Sequence, residues 1–154
     1  MTTTTLRYDI AIVGGGPAGL SAAYKASKSG ANVILFEKDD SIAHNIRTSG
    51  VTWIEDIEKL GISKDHYNPI KNYSLLSSSN EATIRGESAK SCVLNVRTTY
   101  QFLAFLAAEA GTEIMVRSNV TNVITDSKNR ILGLKINTPK GDLAINCKLV
   151  IRNK

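Results

Sequence analysis

The chain has 154 residues, 42% of them hydrophobic, and carries 19 Lys and Arg against 14 Asp and Glu for a formal net charge of +5. That length holds one domain with a real core, and the positive surplus is scattered rather than gathered in a basic block, which argues against nucleic acid as a partner. No run approaches the roughly 20 apolar residues that cross a bilayer. The opening MTTTTLR lacks the apolar stretch of a signal peptide, and Cys92 and Cys147 stand apart without metal or redox spacing, so the expectation is a cytoplasmic protein with reduced, structural thiols.

The first elements carry the strongest signal. An apolar strand over 8–13 runs into a glycine-rich turn, a helix over 17–29, and a second apolar strand over 32–36 that is closed by Glu37. Gly14, Gly16 and Gly19 form a G-x-G-x-x-G pattern. Gly14 permits the tight turn, Gly16 lets a pyrophosphate approach the backbone, and Gly19 lets the helix pack closely on the strand. Pro17 is tolerated in the first turn, where its missing N–H would be unpaired anyway. The helix N-terminus offers amides and partial positive charge to phosphate. Glu37, eighteen residues after Gly19, is placed to accept from ribose hydroxyls, and its charge disfavours a 2′-phosphate there. Strand, turn, helix, strand and acid in register predict a dinucleotide site.

Residues 39–50 read as a loop. Thr52-x-x-Glu55 has capping-box spacing before a short helix with Ile54, Ile57 and Leu60 on one face and Gly61 as its stop. Two strands are expected within 72–85 around Ser79-Asn80, and another at 92–96. Thr98-x-x-Gln101 opens a second long helix, with Phe102, Leu103, Phe105, Leu106 and Ala110 expected inward and Gly111 closing it. Trp53 and the Phe102/Phe105 pair read as core. A short strand at 113–116 precedes an antiparallel meander of strands at 120–125, 131–138 and 142–147, and a further apolar strand begins at 148. His44 and His66 read as solvated loop histidines. No acid–base pair, nucleophile constellation or metal-ligand cluster is present, so catalytic residues remain unassigned and no metal is expected.

This order resembles the FAD-binding domain of glutathione-reductase-like flavoproteins, and within them the group containing geranylgeranyl reductases and aromatic-ring hydroxylases. The resemblance rests on DIAIVGGGPAGLSAA with FEK at the second strand, on IRTSG at 46–50, on VLNVRTTYQFLAFLAAEAGTEI, and on SNVTNVI with the meander after it. It implies an α/β, Rossmann-like FAD-binding domain over 1–154, with a parallel sheet and an antiparallel meander, truncated at its C-terminus and without its substrate domain. In place of the family's acidic-glycine turn the chain reads Arg152-Asn153-Lys154.

By that resemblance Gly14, Gly16, Pro17, Ala18 and Gly19 line the FAD pyrophosphate, and Glu37 with Lys38 holds the adenosine end. Arg47 and Arg97 contact the cofactor, and Val120 meets the adenine. The implied activity is a flavin-dependent reduction of isoprenoid double bonds, with NAD(P)H or another electron donor as partner and peripheral contact with a membrane through the substrate. The alternatives are an FAD-dependent aromatic-ring monooxygenase, and a truncated non-catalytic fragment or nucleotide-binding module. The lack of a catalytic constellation agrees with a flavoenzyme, where the cofactor carries the electron chemistry.

Overall fold

A computed structural model describes residues 6–152; the N-terminal threonine run and Asn153-Lys154 lie outside the described residues. In chain order the elements are β1 (Leu6–Val13), α1 (Pro17–Lys28), β2 (Val33–Phe36), β3 (Val51–Trp53), α2 (Ile54–Lys59), a 3-10 turn (Lys64–His66), β4 (Tyr67–Ile70), β5 (Asn72–Leu76), β6 (Glu81–Arg85), β7 (Ser91–Leu94), α3 (Val96–Glu109), β8 (Glu113–Met115), β9 (Asn119–Thr125), β10 (Ile131–Thr138) and β11 (Gly141–Arg152). The chain divides into two compact units, one made of Met1–Asn45 with Tyr100–Lys154 and the other of Ile46–Thr99.

The larger unit is built on one six-stranded sheet in the order β8-β2-β1-β11-β10-β9. β8, β2, β1 and β11 run parallel, and β10 and β9 add antiparallel to the edge. Val33–Phe36 is buried at every position, as a parallel strand covered on both faces must be. Alternation then sorts side chains to two cores. Ile12, Val33 and Leu35 meet Leu20 and Ala23 of α1 and Leu103 and Ala107 of α3. Ala11, Ile34 and Phe36 pack with Leu134, Ile136 and Ile145 of the meander. Each of the large side chains here is worth about 1.5–3 kcal/mol on burial. A hydrogen bond of 2.7 Å between the buried hydroxyls of Ser27 and Thr112 ties the end of α1 to the segment leading into β8.

Two sequence expectations change in this unit. The strands expected at 142–147 and from 148 onward are one strand, β11, whose first half pairs with β10 and whose second half pairs with β1. A change of partner partway along a strand leaves no mark in its apolar pattern. On α3 the core face is Leu103 and Ala107, one helical turn apart, while Phe105 is 57% exposed. Two residues on from Leu103 is about 200° around a helix of 3.6 residues per turn, so Phe105 points away from the sheet.

The smaller unit has a three-stranded antiparallel sheet, β3-β7-β4, and the separate hairpin β5-β6. Its core holds Ile57, Ile62, Tyr67, Cys92 and Val96. The expected capping box does not form. Thr52 is consumed by β3, opposite Cys92, and α2 starts after Trp53 with no side-chain cap. Trp53 is 60% exposed and Leu60 is exposed as well, so neither serves as core. Asn95, not Thr98, caps α3: its Oδ1 accepts from the Thr98 amide at 3.4 Å, and its carbonyl accepts from the Thr99 hydroxyl at 2.8 Å.

Candidate functional site

The site grows out of strand register. Val13 is level with Phe36 on one side and Arg152 on the other, and Phe36 is level with Met115. Val13, Phe36, Met115 and Arg152 of four parallel strands are therefore level, and the residues that follow Val13, Phe36 and Met115 emerge at one edge. β1 has its two neighbours reached by connections leading in opposite directions, and open α/β sheets bind ligands outside the carboxyl ends at such a switch point. A cleft of about 570 Å³ lies there, lined by Gly14, Glu37, Lys38, Ser118, Val120 and Arg152 among others.

The glycine turn is organised around this edge. Gly14 has a φ of 107°, which only glycine adopts readily, and its amide donates to the Phe36 carbonyl at 2.8 Å. A Cβ on Gly19 would sit 2.2 Å from the Gly14 carbonyl oxygen, so this position must stay bare for the helix to reach the strand. α1 opens at Gly16 with Pro17 in its first turn, no side-chain cap and no acidic residue. Its leading amides thus keep their donor capacity and partial positive charge for an external anion.

Glu37 is fixed before any ligand arrives. Its Oε2 accepts from the Gly15 amide at 2.7 Å and its Oε1 from the Asp39 amide at 2.9 Å. Each oxygen retains a further lone pair, so the carboxylate is oriented yet still able to accept from a hydroxyl. Ile42 closes over the turn, and a Cβ on Gly15 would come within 2.4 Å of its Cδ1 and 3.1 Å of Glu37 Oε2. A bare, uncapped turn, an adjacent pre-oriented carboxylate and two cations on the cleft wall fit the pyrophosphate and ribose of a dinucleotide such as FAD.

Of the residues singled out from sequence, Gly14, Glu37, Lys38 and Val120 line this cleft, and Gly16, Pro17, Ala18 and Gly19 form the helix start beside Gly14. Arg47 and Arg97 belong to the smaller unit, both exposed, with Arg97 in the first turn of α3. His66 differs from expectation: it is half-buried, with Nδ1 3.2 Å from the Thr98 hydroxyl. Sequence reasoning missed Gly15, whose amide orients Glu37, and it missed Ser118, Asn119 and Arg152 on the cleft wall. The run of three glycines at 14–16 was the available signal for Gly15, and the place of Ser118 and Asn119 beside Val120 in SNVTNVI was theirs; Arg152 carries none, because it arrives from a distant strand.

Cys92 and Cys147 are free and buried, and burial pushes both thiols up from their ordinary value, the opposite of a reactive cysteine. Among the described residues no cluster of three or more His, Cys, Asp or Glu is arranged to hold a metal, and no helix is long and apolar enough to cross a membrane.

Comparison with known proteins agrees with this geometry. A family model described as FAD dependent oxidoreductase matches residues 9–152. The digeranylgeranylglycerophospholipid reductase of Methanococcus vannielii is 34% identical over 120 residues, covering 75% of this chain and 30% of that enzyme. A solved structure of a geranylgeranyl bacteriochlorophyll reductase-like protein from Thermoplasma acidophilum superposes with a TM-score of 0.87 at 26% identity, covering 97% of this chain and 40% of that one. The p-nitrophenol 4-monooxygenase of Pseudomonas putida superposes at 0.80 with 16% identity, over 97% of this chain and 42% of that one, a likeness of fold alone. The chain thus spans well under half the length of these relatives.

Proposed function

The chain belongs to the FAD-dependent oxidoreductase family, and we propose that residues 1–154 act as the FAD-binding part of a geranylgeranyl-reductase-like enzyme that saturates isoprenoid double bonds. The observation that carries the cofactor reading is the Gly15–Glu37 bond, which holds a carboxylate ready beside a bare glycine turn. The turn at Gly14, Gly16, Pro17, Ala18 and Gly19 cradles the pyrophosphate, Glu37 accepts from the adenosine ribose, and Lys38 and Val120 flank the adenine end. Arg47 and Arg97 are carried in this reading as basic contacts to the cofactor on the strength of the family resemblance. Bound FAD supplies the hydride and electron chemistry, and the protein's part is to bind it, orient it and exclude water.

Similarity to the Methanococcus reductase supports an isoprenoid lipid as substrate; NAD(P)H or another donor as reductant, and a peripheral contact with the membrane that holds such a lipid, belong to the same proposal. Titrating the chain with FAD, read by quenching of flavin fluorescence and competed with ADP, tests the cofactor. Saturable, ADP-sensitive binding is expected, and its absence overturns the reading. Supplying the full gene product with reduced flavin and digeranylgeranyl lipid vesicles tests the substrate; a gain of two hydrogens per reduced double bond by mass spectrometry is expected. A second reading, aromatic hydroxylation, uses the same fold, and substrate-stimulated oxygen uptake in the same preparation would reveal it.

A further inference from the structure

The connection between β8 and β9, residues 116–118, leads into one wall of the cleft at Ser118, and it is bound to the loop that follows Glu37. The Ser118 amide donates to the Glu37 carbonyl at 2.8 Å, the Arg117 amide to the Asp39 carbonyl at 2.9 Å, and the Glu37 amide to the Met115 carbonyl at 2.8 Å. A side-chain bond joins them: Arg117 Nε donates to Asp40 Oδ1 at 2.9 Å. Ser118, at the end of this connection, and Asn119 and Val120 after it line the cleft with Glu37 and Lys38.

Arg117 holds this place at a conformational cost. Its φ is +50°, in the left-handed region, which costs a residue with a Cβ on the order of 1–2 kcal/mol and costs glycine little. A glycine would make the same backbone turn and the same backbone hydrogen bonds. What it could not make is the ion pair to Asp40, so the arginine side chain has work that the turn itself does not require.

We propose that Arg117 and Asp40 form a latch that positions the adenosine-binding wall, setting the spacing between the 118–120 segment and the Glu37 carboxylate. Arg117 is a positioning residue: it acts through Ser118 and Val120 and need not touch the nucleotide. The proposal rests on the FAD reading above. With the latch open, the two segments keep their backbone bonds but move more freely, and a nucleotide must then order them on binding.

Arg117→Gly separates this role from a purely structural one, because it removes the side chain while relieving the strained backbone. The full chain and the variant are compared for thermal unfolding and for affinity toward ADP and FAD. The expected result is an unchanged or higher Tm together with ADP and FAD affinities weakened about threefold to fivefold, the upper end of the range for one exposed ion pair. Asp40→Asn should weaken both ligands alike, and the double variant should add nothing to either single change. Adding 1 M salt should erase the difference, since the screening length is then about 3 Å. Equal affinity of variant and wild type overturns the latch alone. Affinity that falls only in step with a lowered Tm also overturns it, by showing a structural role. A wild-type chain that binds neither ADP nor FAD overturns the cofactor reading and the latch with it.

Discussion

The Gly15 amide lies 2.7 Å from Glu37 Oε2, joining the turn after β1 to the acid after β2 by a charge-assisted bond. This one contact couples two neighbouring loops: in the proposed reading, the carboxylate that would meet the ribose is aimed by the same turn that would hold the phosphates. Exchanging Glu37 for Gln puts an amide where two N–H groups seek acceptors. Glu37→Gln should weaken FAD and ADP binding by about tenfold or more, the value of one to two hydrogen bonds to a charged group, as measured by flavin fluorescence titration.

Gly19 has no room for a Cβ on steric grounds. The obstruction at 2.2 Å is a backbone carbonyl that cannot swing aside. Gly19→Ala should therefore push α1 off β1 and cost about 1–3 kcal/mol, as overpacking does. At about 2–4 °C per kcal/mol for a chain of this size, differential scanning fluorimetry should record the loss without any ligand present.

The two faces of α3 make a paired prediction. Leu103 packs in the core with Leu20 and Val33, whereas Phe105 stands in solvent. Leu103→Ala should destabilise by about 2–5 kcal/mol, and Phe105→Ala should lie within about 0.5 kcal/mol of wild type. Urea denaturation of both variants checks this, and a larger loss at Phe105 would contradict the packing described.

At the far end of the sheet Tyr8 donates to Glu113 Oε2 at 2.6 Å, linking β1 to β8. Burial, reinforced by that hydrogen bond and by the carboxylate's charge, pushes the Tyr8 hydroxyl up to about 12 from its ordinary 10.0. The folded state thus favours the neutral phenol. Its stabilising effect is complete below the unfolded value and is lost as the pH rises from there through the folded value. Tyr8→Phe should be less stable than wild type at neutral pH, and the gap should narrow between 10.0 and about 12. Thermal melts across that range measure it.

What the sequence determined by itself was contained in a short contiguous stretch. From β1 to Glu37 the spacing of glycines, the position of Pro17 and the apolar runs each constrain local backbone, so strand, turn, helix and strand were legible, and with them the placing of Gly14 and Glu37 at one edge. Ile131–Thr138 was read at its observed limits for the same reason, since turns at both ends bound an apolar run. The tertiary structure decided what local preference does not encode. It brought Ser118 and Arg152 to the cleft that Gly14 and Glu37 open, made one strand of residues expected to form two, and chose Leu103 over Phe105 as the buried face. It also left Trp53 in solvent and engaged Thr52 in a strand before it could cap a helix. The physical reason is the same in each case: an apolar side chain announces that it has a partner to find, but strand order and register determine which partner it meets and on which side.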